Sequence, residues 1–145
     1  MADIERLTRN LAIEPFYSAD ISGEDTSVFA TWLPISLYEK VVAVVTLLTA
    51  ASALSNFELV TSPTAAGATP ATVATLTNPG NINAALETAI MEVRASQIQT
   101  VDADAQFANI SINSAGAVPV LVQLFRYNPR YAYNALWVGT ETAWT

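Results

Sequence analysis

The stretch that most restricts the fold is VVAVVTLLTAASAL, Val41 to Leu54. It is apolar on every side, so whatever structure it adopts has to be buried between layers. Thr46, Thr49 and Ser52 interrupt it, and it falls short of the roughly 20 apolar residues a membrane-spanning helix requires. Just ahead of it, Ser36 and Glu39 in PISLYEKVV match a capping box, in which a hydroxyl and a carboxylate each satisfy a backbone group at a helix start. The spacing therefore predicts a helix over about 37–55. The valines pull the other way, because β-branched side chains suit a buried strand equally well.

Further on, Ile82, Leu86, Ile90 and Val93 recur at helical spacing after the Pro79-Gly80 turn and predict a second helix over about 82–98. Past residue 105 the texture changes to period two. Ala108, Ile110 and Ile112 alternate with Phe107, Asn109 and Ser111, a strand that ends at an Asn113–Gly116 turn. Val118 to Tyr127 reads as the next strand. Asn128-Pro129-Arg130 makes a turn, and Tyr131 to Val138 returns. The expected fold is α+β, two main helices packed on a mostly antiparallel sheet. If 41–49 is a strand instead, an all-β jelly roll or sandwich replaces it.

The remaining segments fit one domain, 1–145, with 1–25 as an extended N-terminal arm. Ile4, Leu7 and Leu11 give residues 3–12 the stripe of a short amphipathic helix, which has to dock on something to be stable. EPFYSADISGEDTS is rich in turn-formers and acids and reads as an arm or surface loop. Val28 to Leu33 resembles a strand. Residues 61–81 carry three of the seven prolines among Ala and Thr and read as a surface excursion, with one strand-like piece at 72–77.

Composition excludes several chemistries. The chain has no cysteine and no histidine, which removes disulfides, thiolate sites, the commonest metal ligand and the usual proton shuttle. Its net charge of -7 argues against nucleic acid, which is gripped by clustered Lys and Arg. The first residues carry acids and no apolar core of a signal peptide, so a soluble product made in the cytoplasm is expected. Only 13% of the residues are charged, about half the usual share. A surface so poor in charge relies on burial against other subunits.

Few residues suggest a site. FRYNPRYAYNALW, Phe125 to Trp137, gathers five aromatic rings and two arginines. On strands around the Asn128-Pro129 turn, Phe125 and Tyr127 share one side, as do Tyr131, Tyr133 and Trp137, with Arg130 in the turn. Three uses compete: cross-strand pairs that hold a hairpin, a protein contact, and stacking on a sugar. Asp102 and Asp104 lack the later ligands and the glycine of a calcium loop. Asp25-Thr26-Ser27 lacks the glycine of an aspartic-protease turn and reads as a turn. Ser36 has only Lys40 as a base. Two carboxylates could serve a glycoside hydrolase, but only within a cleft. No catalytic residue, cofactor or metal is expected.

Taken together, the acidic chain without Cys or His, its N-terminal arm, its Ala/Thr-rich excursion and the aromatic C-terminus ending GTETAWT resemble small virion structural proteins of tailed bacteriophages, of the capsid cement, decoration or head and tail assembly type. The resemblance implies a non-enzymatic virion protein that binds other copies of itself and a larger capsid or tail protein, with no nucleic acid, membrane or small-molecule substrate. Its contacts would be Phe125, Tyr127, Arg130, Tyr131, Tyr133 and Trp137 together with Ile4, Leu7 and Leu11. The alternative is a carbohydrate-binding module using the same aromatic hairpin.

Overall fold

The computed structural model describes residues 11–13, 17–25, 28–49, 54–77 and 84–129, with side chains for 28–49, 54–77, 84–114 and 116–128. Eight strands and one helix follow in order: β1 (Leu11–Ile13), β2 (Tyr17–Asp25), β3 (Leu33–Pro34), β4 (Tyr38–Leu47), β5 (Leu54–Ser62), β6 (Ala71–Thr77), β7 (Thr88–Arg94), α1 (Ala95–Val101) and β8 (Phe107–Pro129). The architecture is all-β, which corrects the α+β expectation. Neither main helix exists as read: 38–47 and 54–62 are strands, and 88–94 is a strand followed by a short helix.

The physical reasons are visible residue by residue. In β4, Val41, Ala43, Val45 and Leu47 are buried while Val42, Val44 and Thr46 are half-buried. Both faces are apolar, so the period of two left no trace in the sequence. Ser36 lies in a turn closed by the Tyr38 N–H donating to the Ile35 carbonyl at 3.0 Å, so it caps no helix. In β7 the buried residues are Ala89, Met91 and Val93, whereas Leu86 and Ile90 of the supposed helical stripe are 73% and 63% exposed. That stripe was a coincidence of spacing. The helix that does form, α1, buries only Ile98 and closes with the Asp102 N–H on the Ile98 carbonyl at 2.8 Å.

The sheet order is β6-β5-β8-β4-β7, antiparallel throughout, with β1, β2 and β3 along the other edge of β8. Side by side the elements run β1 and β2, then β8, then β4 and β5, then β7 and β6. β8 is the continuous one. Its first part, to Ser114, pairs with β5, and its second, from Val120, with β4. Between them the ladder with β2 jumps from Ser114–Gly23 to Val118–Ile21, leaving extra residues on β8. Such a bulge bends a strand and lets it pass from one sheet to the other. The sequence suggested a strand ending at an Asn113–Gly116 turn, but β8 runs on unbroken through this bend, which is held by the Ser114 hydroxyl donating to the Gly116 carbonyl and accepting from its N–H.

With β5 and β6 beside the first part of β8 and β4 and β7 beside the second, two sheets face each other, and the order is that of a jelly roll. One core cluster joins them, with Leu54, Phe57, Leu59, Ile110 and Ile112 from one sheet meeting Val41, Val45, Val122 and Leu124 from the other. β2 runs in register beside β8, so residues 17–25 belong to the sheet and do not stand off as an arm. Of the short helix expected over 3–12, Leu11 and Ala12 lie in β1 and the rest is outside the described residues. The strand expected over 28–33 is a run of bends that becomes β3 only at Leu33, whereas the piece expected at 72–77 is β6.

Candidate functional site: the outer face of the second sheet

The outward sides of the two sheets differ. On the first, Val60, Ser62, Asn109 and Ser111 are buried. The Asn109 amide holds the preceding segment there, accepting from the Phe29 N–H at 3.0 Å and donating to the Phe29 carbonyl at 2.7 Å. The Trp32 ring is buried against Gly67, where φ is +72° and an added Cβ would come within 2.3 Å of the indole. On the second sheet, formed by β7, β4 and the later part of β8, the outward residues are only half-buried or exposed.

Register sets out that face in four rows. Thr88, Thr46 and Leu121 lie opposite one another, then Ile90, Val44 and Gln123, then Glu92, Val42 and Phe125, then Arg94, Lys40 and Tyr127. The Thr46 and Thr88 hydroxyls share a hydrogen bond at 2.9 Å. Leu86 and Leu48 add exposed apolar surface at the same end as Leu121. The other end is charged: Lys40 Nζ meets Glu92 Oε1 at 2.8 Å, and Glu39, Arg94, Ser96 and Asn128 edge a solvent-open cleft of about 430 Å³.

Phe125 and Tyr127 are thus brought onto one face, half-buried, with Leu11 opposite Tyr127 in the ladder of β1 with β8. Arg126 points the opposite way and is 8% exposed. Its Nη1 donates to the Pro34 carbonyl at 2.7 Å and its guanidinium lies 4.7 Å from the centre of the Tyr38 ring. Burial lowers the Arg126 guanidinium to about 10 and raises the Tyr38 phenol, so both keep their protons at neutral pH. Arg130, Tyr131, Tyr133, Trp137, Ile4 and Leu7, and with them the return strand of the hairpin, lie outside the described residues. Sequence reasoning missed Val42, Val44, Ile90 and Leu121, because as strand residues their shared face follows from pairing partners far along the chain.

The other candidates resolve into structure. Asp102 accepts from the Thr61 hydroxyl at 2.6 Å and Asp104 lies in an exposed turn; no cluster of three potential ligands occurs among the described residues. Asp25 ends β2 opposite Ile112, and Thr26 and Ser27 are outside the described residues. Lys40 pairs with Glu92, on the opposite flank of β4 from β8. A cavity of about 60 Å³ lies among Ile35, Tyr38, Val41, Ile98 and Ala105, far below the size of an ordinary ligand site. No described helix is long and apolar enough to cross a membrane.

Comparison with family models and with curated proteins finds no match. Among solved structures, one of Bacillus endospore appendages, described as a novel family of disulfide-linked pili, is similar over 83% of this chain and 89% of its own, at 14% identity and a TM-score of 0.43.

Proposed function

We propose that this chain is a structural subunit that self-associates, without catalysis, and that the outer face of β4, β7 and β8 is one of its protein contacts. The observation that carries the reading is the contrast between the two sheets. On the outer side of the first, Val60, Ser62, Asn109 and Ser111 are buried, while the second leaves Val42, Val44, Leu121 and Phe125 half-buried and Ile90 exposed. A contiguous apolar patch with a polar rim is how monomers carry interaction sites. The shortage of charge supports the same reading, since most of the surface lacks the groups that keep copies apart. A virion particle, with a larger capsid or tail protein as second partner, is the assembly that the chain's layout suggests within this reading.

The test is mass in solution and in the native source particle. The wild-type chain should sediment as an oligomer, and replacing Val44, Leu121 and Phe125 together with Thr should give a folded, lighter species. A wild-type chain that stays monomeric up to millimolar concentration would refute the proposal. Recovery from a virion in fixed stoichiometry would identify the particle, and recovery from a source without virions would replace it.

A further inference from the structure

β7 ends its sheet: β4 lies along one edge of it, and no described strand lies along the other. Open edges are normally guarded by charge, proline, bulges or brevity. β7 spans seven residues without a proline, and its ladder with β4 runs without a bulge. Its charges do little to guard it, because Glu92 is held by Lys40 and Arg94 is at the terminus. At its centre is Ile90, 63% exposed. Of the other edges without a described partner, β6 follows Pro70 and has a register break at Val73, and β2 carries three acids and a register break between Ile21 and Gly23, so both are guarded. Beside β7, in the turn that leads into it, Leu86 is exposed and has a φ of 66°, a left-handed conformation that costs a leucine energy.

We infer that β7 pairs antiparallel with β7 of a second copy about a two-fold axis at Ile90. The inference rests on the self-association reading and names its contact. A symmetric antiparallel ladder keeps outward residues opposite outward ones, which leaves three central registers. Centring on Met91 sets Ile90 against Glu92 of the second copy, and centring on Ala89 sets Glu92 against Leu86. Centring on Ile90 places the two isoleucines together, sets Thr88 against Glu92, and lays Leu86 along the aliphatic stem of Arg94. Ala89 then faces Met91, so the buried side also continues. No like charges oppose each other in this register, and like charges directly opposite are what destabilise such pairs. The edge also suits a chain of net charge -7, since Lys40 and Arg94 match Glu87 and Glu92 there, so the contact is near neutral and spared the general repulsion between copies. The product is a sheet continuous across two molecules, with the two open faces joined.

Because the sequence has no cysteine, single-cysteine variants read the register directly. Ile90→Cys should form a disulfide-linked dimer under mild oxidation. Thr88→Cys alone should not, whereas Thr88→Cys with Glu92→Cys should. Ile90→Lys should weaken dimerisation by roughly tenfold or more, by placing like charges on the axis and removing the apolar pair, with circular dichroism and melting unchanged. An oligomeric wild type whose Ile90→Cys variant stays reduced would overturn the β7 inference and leave self-association standing. Equal cross-linking of Thr88→Cys would overturn the register, and a strictly monomeric wild type would overturn both readings.

Discussion

Asn109 decides more than any other polar residue described. It is fully buried, and its amide treats Phe29 as a neighbouring strand would, accepting one backbone group and donating to the other, while also accepting from the Ile110 N–H at 2.8 Å. Asn109→Ala removes all three bonds at once from a dry site, so a loss of about 3 kcal/mol is expected, read as a lower urea midpoint. Asn109→Asp keeps the shape but puts a charge there and deletes the donor, so it should be worse. Gly67 is the second such position. Its positive φ and the Trp32 ring above it leave no room for a methyl group, and Gly67→Ala should cost more than about 1 kcal/mol, with a shift in tryptophan fluorescence. From sequence, Asn109 was one alternating residue of a strand and Gly67 part of a surface excursion. Nothing local announces a partner eighty positions away, as Phe29 is from Asn109.

The elements show where a sequence signal is robust and where it cancels. β8 was legible, because Val118, Val120, Val122 and Leu124 are buried and Leu121 and Gln123 are half-buried, so alternation survives in the residue types. β4 was not, since one of its apolar faces belongs to the core and the other to the open face. Since the helix expected over 82–98 is strand β7 at 88–94, α1 was not read from the sequence. At seven residues it cannot be stable alone and depends on docking Ile98. Ile98→Ala should therefore cost about 2–4 kcal/mol and raise hydrogen exchange over Ala95–Val101 first. Far-UV circular dichroism of the wild type should show the described residues as mainly strand, with a small helical contribution from α1.

At the scale of the molecule, β8 is the axle: β1, β2, β3, β4 and β5 all pair with it. Those strands precede it in the chain, so the central partner is supplied last. A chain ending at residue 106 leaves β4 and β7, and β5 and β6, as isolated pairs with their apolar sides in water, and two-stranded sheets are marginal in water. Such a truncation should be unfolded and protease-sensitive, and adding residues 107–129 as a separate peptide should restore protection. The candidate site obeys the same logic. Phe125 and Tyr127 could be assigned to one side from alternation alone, but Val42 and Val44 join them only because β4 lies beside β8, and Ile90 only because β7 lies beside β4.

By itself the sequence determined that 41–47 and the later part of β8 carry apolar side chains for the core, and it excluded thiol and imidazole chemistry outright. It also determined that the surface would be poor in charge. Only the tertiary structure decided that 38–47 and 88–94 are strands, that 107–129 runs unbroken through two sheets, and that Asn109 and Ser111 are buried on one outer face while Val44 and Phe125 are only half-buried on the other. The reason is the reach of the hydrogen bonds. A helix satisfies its backbone four residues away, so its pattern is written locally. Val44 sits between Ile90 and Gln123, and no window of neighbouring residues contains that fact.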